Sequence, residues 1–184
     1  ANQLGVKVLT LYAFSTENWK RPLEEVKYLM KLPAVFFDRF MDELMQNQIK
    51  VECIGHFHRL APQTRKVLER AIDKSKNNTK MRLVFAMDYG SRDELVVAMR
   101  KYAEDVKQGK ENNLVEEEVA HYLMTREYPD VDLLIRTSNE KRISNFLLWQ
   151  IAYAELIFVD KPWPLFKPQD FDKCIEEFYQ RDRR

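Results

Sequence analysis

The sequence predicts an α/β fold: a central, mostly parallel sheet flanked by helices within a single domain. Short β-branched and apolar segments alternate along the chain with longer segments of helical period. The short segments are nearly continuously apolar, as expected of strands covered on both faces. A length of 184 residues, with 45% hydrophobic and 32% charged residues, suits one globular domain with a sizeable core. No internal repeat, low-complexity tract or linker divides it.

ANQLG reads as a helix end with Gly5 as its cap. Val6 to Tyr12 is a strand, and the polar loop AFSTENWKRP follows it. Leu23 to about Asn47 is helical, with Pro33 expected to kink or split it. Its apolar residues exceed one stripe, which suits either plain core or the wall of an apolar binding surface. Ile49 to Ile54 is a strand closed by Gly55, Ala61 to about Lys76 an amphipathic helix, and Met81 to Met87 a strand ending in DYGSR. Arg92 to about Gly109 and Val115 to Met124 are helices, separated by the polar link KQGKENN. Val131 to Ile135 is a strand, Ser144 to Ala152 a helix, Glu155 to Val159 a strand and Pro168 to Arg183 the last helix.

Composition excludes several functions. A net charge of +1 gives no global field for nucleic acid, so any anion site must be a local cluster. The four glycines (Gly5, Gly55, Gly90, Gly109) form neither a dinucleotide fingerprint nor a P-loop. The three histidines, His56, His58 and His121, have no zinc-ligand spacing with the cysteines, and His56 and His58 are expected as an exposed loop pair. Cys53 and Cys174 read as buried free thiols of a reducing, cytosolic compartment. No apolar run has transmembrane length, so membrane contact is expected to be peripheral.

In parallel α/β folds ligands bind beyond the carboxyl ends of strands. Two loops there concentrate polar chemistry, with DYGSR a weaker third. In RTSNEKRISNF, Arg136 ends a strand, while Arg142 and Ser144 stand at an expected helix start. Unpaired helix N–H groups, two guanidinium groups and a hydroxyl suit phosphate or diphosphate. A helix cap with solvated charges accounts for them equally well. AFSTENWKRP gathers Ser15, Thr16, Glu17, Asn18, Trp19 and Arg21, which suits a ligand with polar and apolar parts, or a capped loop with Trp19 on the core.

YAFSTENWKRP, LLIRTSNEKRISNFLLWQIAYAEL, DYGSR and the terminal RDRR together resemble the signatures of the cis-prenyltransferases, in their order. The resemblance spans essentially the whole chain and is closest to the bacterial long-chain synthases. It implies repeated addition of isopentenyl diphosphate to an allylic diphosphate such as farnesyl diphosphate. The implied product is undecaprenyl diphosphate, the carrier lipid of the cell wall. Carried over, Asn18 takes the proton-removing position, although a neutral carboxamide is a very weak base. Ser15, Thr16, Glu17, Trp19 and Arg21 line the substrate site, and Arg136, Arg142, Ile143 and Ser144 hold the diphosphate of isopentenyl diphosphate. Glu155 helps hold Mg²⁺. Phe36, Phe37, Phe40, Met41, Leu44, Leu83 and Phe85 are expected to wall a tunnel for the growing chain. A homodimer is implied.

The family's opening strand and its Asp-Gly-Asn-Gly-Arg-Trp loop have no counterpart in these residues, nor do the glycines that follow RDRR. Residues 1–184 are therefore expected to be a single domain truncated at the N-terminus and slightly at the C-terminus, with little activity alone. Ser91 and Asn139 stand where the family usually has glycine, and asparagine tolerates a left-handed backbone. The competing reading is a non-catalytic partner subunit of a heteromeric synthase. Retention of Asn18, Arg136, Arg142, Ser144 and Glu155 favours the enzyme.

Overall fold

β3 (Met81–Tyr89) is buried along almost its whole length, which explains why its sequence is apolar without alternation. It lies between β1 (Val8–Ser15) and β2 (Ile49–Ile54) in a three-stranded parallel sheet of order β1-β3-β2. The computed structural model describes residues 1–110 and 113–181. The chain divides into two compact units, Ala1–Tyr128 and Pro129–Arg184. Glu111 and Asn112 of the polar link, and the last three residues of RDRR with the expected end of the final helix, lie outside the described residues.

In the first unit α1 (Leu23–Gln46) and α2 (Pro62–Ser75) supply the crossovers that parallel strands require. α3 (Ser91–Lys107) and α4 (Glu116–Tyr122) follow β3. Val26, Met30, Phe37 and Leu44 of α1 pack with Val51, Val67, Leu68, Leu83 and Phe85 in one core. Pro33 neither splits α1 nor ends it. It is buried, and packing of the apolar face holds the helix through a residue that costs about 3 kcal/mol in an isolated one. In the turn before it, the Met30 carbonyl accepts a hydrogen bond from the Thr64 hydroxyl at 2.8 Å.

In the second unit β4 (Leu133–Arg136) and β5 (Glu155–Phe158) form a parallel pair. α5 (Pro168–Gln180) places Cys174 and Phe178 in a small core with Ile157. The expected helix over 144–152 is absent. Ser144, Asn145 and Leu147 have φ of 56°, 62° and 49°, incompatible with a right-handed helix, and the segment is a succession of turns. The apolar spacing of Phe146, Leu147 and Ile151 mimics a helical period, but serine and asparagine at its start favour local turns.

Other elements agree with the sequence to within a few residues at their ends. At the start, Asn2–Leu4 is a 3-10 turn capped by Gly5 at φ 77°. Cys53 and Cys174 are both free; Cys174 is buried and Cys53 half-buried. His58 is exposed as expected, but His56 is not: its side chain is 15% exposed and bonds Asp93 at the start of α3. No helix among the described residues is long and apolar enough to cross a membrane.

Candidate active site

The carboxyl ends of β1 and β3 meet because the two strands pair in parallel, with register shifts on either side of Phe14 and Ser15 opposite Tyr89. DYGSR and the STENW turn are therefore neighbours. After β1 the chain enters the 3-10 turn Thr16–Lys20. Asn18 Oδ1 accepts from the Ser15 backbone N–H at 2.8 Å, and the Asn18 carbonyl accepts from Arg21 N–H at 3.1 Å. With its oxygen bonded to the Ser15 N–H, the Asn18 carboxamide also carries an NH2 group, which can donate but not accept.

Trp19 packs edge-on to Phe14 with ring centres 5.0 Å apart, and its indole N–H donates to Asp88 Oδ1 at 2.7 Å. The core-packing reading of Trp19 thus holds: its ring lies against the core and its N–H is bonded within the protein. Thr16 Oγ1 donates to Glu17 Oε2 at 3.1 Å on the exposed side of the turn. Arg21 is half-exposed and paired with Glu25.

DYGSR is buttressed from behind. The Tyr12 hydroxyl donates to the Tyr89 carbonyl at 3.1 Å. The Tyr89 hydroxyl donates to Glu94 Oε2 at 2.5 Å, while Glu94 Oε1 accepts from Met124 N–H at 2.8 Å. Burial, then the negative charge of Glu94, push the Tyr89 hydroxyl far above the ordinary tyrosine range. Sequence reading missed Asp88, Glu94 and Arg59, whose Nε stands 3.0 Å from Asp88 Oδ2. Asp88 lies within a noted loop, but nothing local marked the other two.

An aromatic cluster lies on α1 and β3. Phe36 stands 5.2 Å from Phe37, 5.1 Å from Phe40 and 5.5 Å from Phe85, ring centre to ring centre. Phe37, Leu44, Leu83 and Phe85 are buried, whereas Phe36, Phe40 and Met41 are half-buried.

In the second unit Arg136 ends β4, and its carbonyl accepts from Val159 N–H at 2.8 Å. Ser138 N–H and Asn139 N–H donate to the carbonyls of Lys161 and Val159 at 2.9 and 3.0 Å, so the loop is tied to the chain after β5. Asn139 has φ 53°, the left-handed conformation its residue type allows. Arg142 is 69% exposed and pairs with Glu140 at 2.6 Å; Ser144 is exposed and Ile143 half-buried. Arg136, Arg142 and Ser144 therefore share one loop, but it is not a helix N-terminus, and no helix dipole contributes there.

Glu155 is placed differently. It opens β5 opposite Leu133, whereas Arg136 is opposite Phe158, which separates the two by roughly 10 Å along the strands. Glu155 Oε2 accepts from Arg181 Nη1 at 2.6 Å. Among the described residues no group of three or more His, Cys, Asp or Glu could hold a metal. One carboxylate is nevertheless enough for Mg²⁺ when phosphate oxygens and water complete its octahedron.

A family model described as "Putative undecaprenyl diphosphate synthase" matches residues 1–184. An isoprenyl transferase of Bacillus cereus is 51% identical over 186 residues, covering all of this chain and 72% of the relative. A ditrans,polycis-undecaprenyl-diphosphate synthase, farnesyl-diphosphate specific, of Lactiplantibacillus plantarum is 49% identical, with all of this chain and 73% of the relative covered. Among solved structures, lavandulyl diphosphate synthase of Lavandula x intermedia, in complex with dimethylallyl diphosphate, superposes with a TM-score of 0.95 at 34% identity. That match covers all of this chain and 80% of the other. "A probable undecaprenyl diphosphate synthase" of Campylobacter jejuni gives 0.87 at 33% identity, covering all of this chain and 85% of the other. With its whole length matched and half its residues shared with such relatives, the chain belongs to the undecaprenyl diphosphate synthase family of prenyltransferases and is a transferase.

Proposed function

We propose that the protein elongates farnesyl diphosphate with successive isopentenyl diphosphate units, in cis, to undecaprenyl diphosphate, the cell-wall carrier lipid. The observation that carries this reading is the Asn18 turn, held against DYGSR at the carboxyl ends of β1 and β3. Farnesyl and dimethylallyl diphosphate in the names of two relatives support an allylic diphosphate as the acceptor.

Ser15, Thr16, Glu17, Trp19 and Arg21 line the substrate site around this turn. The carboxamide NH2 of Asn18 holds a diphosphate oxygen over the reacting carbons, and that oxygen is a better proton acceptor than the amide itself. Arg136 and Arg142, with Ile143 and Ser144 beside them, bind the diphosphate of isopentenyl diphosphate. The exposed Arg142 exchanges Glu140 for the more highly charged ligand. Glu155 contributes a hard oxygen donor for Mg²⁺ once released from Arg181. Bound Mg²⁺ neutralises the leaving diphosphate. The half-buried Phe36, Phe40 and Met41 offer the apolar wall on which a lengthening prenyl chain lies. The enzyme works as a homodimer in the cytoplasm, touching the membrane only to release its product.

The test is incubation of the full-length protein with farnesyl diphosphate, labelled isopentenyl diphosphate and Mg²⁺, followed by sizing of the product. A ladder of polyprenyl products is expected, and Arg142→Ala should raise KM for isopentenyl diphosphate about tenfold or more with the fold intact. No product, or unchanged kinetics in Arg142→Ala, refutes the respective assignment.

A further inference from the structure

Asp88 is a charged side chain with 0% exposure at the end of β3, in a chain where most carboxylates face water. Its backbone has φ 50°, the left-handed conformation that Asp and Asn adopt more readily than other non-glycine residues. A buried carboxylate without partners is strongly destabilising, so its contacts show what it is there to hold. Oδ1 accepts the indole N–H of Trp19 at 2.7 Å. Oδ2 lies 3.0 Å from Arg59 Nε, yet has no aligned hydrogen-bond donor among the described residues. Arg59 therefore acts as a counter-charge, 46% exposed, rather than as a geometric clamp.

The same loop also fixes the backbone. His56 N–H donates to the Asp88 carbonyl at 3.1 Å, and Arg59 follows three residues later in the 3-10 turn Phe57–Arg59. One loop thus sets the direction of the carboxylate and supplies its counter-charge. On the other side, Trp19 directly follows Asn18, so the turn is pinned twice: Asn18 to the Ser15 backbone and Trp19 to Asp88. Without the second pin, the turn keeps the Asn18–Ser15 bond, the ring contact with Phe14 and local backbone bonds, all made to itself or to its own strand.

We propose that Asp88 is a positioning residue: its buried carboxylate, balanced by Arg59, holds the Trp19 indole and thereby sets where Asn18 meets the substrate. The proposal rests on the reading of Asn18 as a substrate-contacting residue given above. Asparagine at position 88 would retain an acceptor for the indole but turn an NH2 group toward the Arg59 guanidinium, donor against donor. Arg59 can swing into water, so the indole bond, not the charge, is what the site needs.

The experiment uses the full-length protein with Asp88→Ala, Asp88→Asn and Trp19→Phe variants. Two readouts are taken: kcat and KM with farnesyl and isopentenyl diphosphates, and the Trp19 indole proton by NMR, assigned from its loss in Trp19→Phe. In Asp88→Ala, kcat should fall about tenfold or more, because small misplacement of a reacting geometry is costly, while KM changes little. The indole proton should shift upfield and exchange faster with solvent. Asp88→Asn should recover most of kcat and of the protection. Wild-type kcat in Asp88→Ala, or an unchanged indole proton there, overturns the proposal. If Asp88→Ala does not fold, Asp88→Asn and Trp19→Phe carry the comparison, and equal kcat in the two overturns it. Absence of product from the wild type instead refutes the proposed reaction, and the indole proton still decides whether Asp88 holds Trp19.

Discussion

Replacing Gly55 with alanine should destabilise the first unit severely. Gly55 follows β2 with φ +111°, where L-residues are strained. A Cβ there would stand 2.0 Å from the Met87 carbonyl oxygen, 2.9 Å from its carbon and 3.1 Å from the Asp88 carbonyl oxygen. All three atoms are backbone of the central strand, so no rotamer change relieves the clash. The backbone conformation costs about 1–3 kcal/mol and the overlap a further 1–3 kcal/mol or more, together about 2–6 kcal/mol. Against a total stability of about 5–15 kcal/mol, that loss is large. Native-state hydrogen exchange of the β2 and β3 amides, such as those of Val51 and Leu83, reports this unit directly. Protection should drop by the same free energy, and activity should fall with it, because the displaced atoms carry Asp88. A change under about 1 kcal/mol would refute the reasoning that β2 and β3 need this close approach.

Three further outcomes are expected. Ser75→Ala should cost about 1–3 kcal/mol, since the buried Ser75 Oγ is the acceptor for Val51 N–H at 2.9 Å; an unchanged urea midpoint would contradict this. Burial pushes the Cys53 thiol up to about 12, so native protein should alkylate there only slowly near pH 8, and rapid labelling seen by mass spectrometry would count against it. At Asp170, the Lys161 ammonium (2.5 Å) and then the Lys167 backbone N–H hold the carboxyl below its usual value. A depressed carboxyl stabilises fully above its unfolded value, about pH 4, and that contribution is lost as pH falls through the folded value. Protection of α5 amides should therefore fall more steeply with acid in wild type than in Asp170→Asn, and parallel curves would exclude the cap.

Much of this molecule is legible locally. β2 lies at Ile49–Ile54 as its β-branched pattern indicates, and α1 keeps its expected limits to within one residue. Where reading failed, a feature outside the pattern being read decided. Pro33 ought to break a helix, yet the buried face of α1 overrides it. Ser144 to Ala152 has a helical apolar spacing, yet three left-handed residues turn it into a loop that joins β4 to β5. The site loops stood out because strand ends rich in serine, asparagine and arginine are unusual between apolar runs. Glu94, buried and bonded to Tyr89, has nothing in its local sequence to mark it.

The sequence by itself determined the alternation of elements, the parallel strands, the polar loops proposed to carry the chemistry and, through its signatures, the family. Hydrophobic period and turn chemistry are properties of neighbouring residues, so they survive without a fold. The tertiary structure alone decided which groups meet. Trp19 and Asp88 are 69 residues apart and touch only because β1 and β3 pair side by side. Glu155 and Arg136 belong to one signature block, yet the same parallel pairing sends them to opposite ends of two strands. Strand register is set by burial along the whole pair, and a single loop carries no record of it.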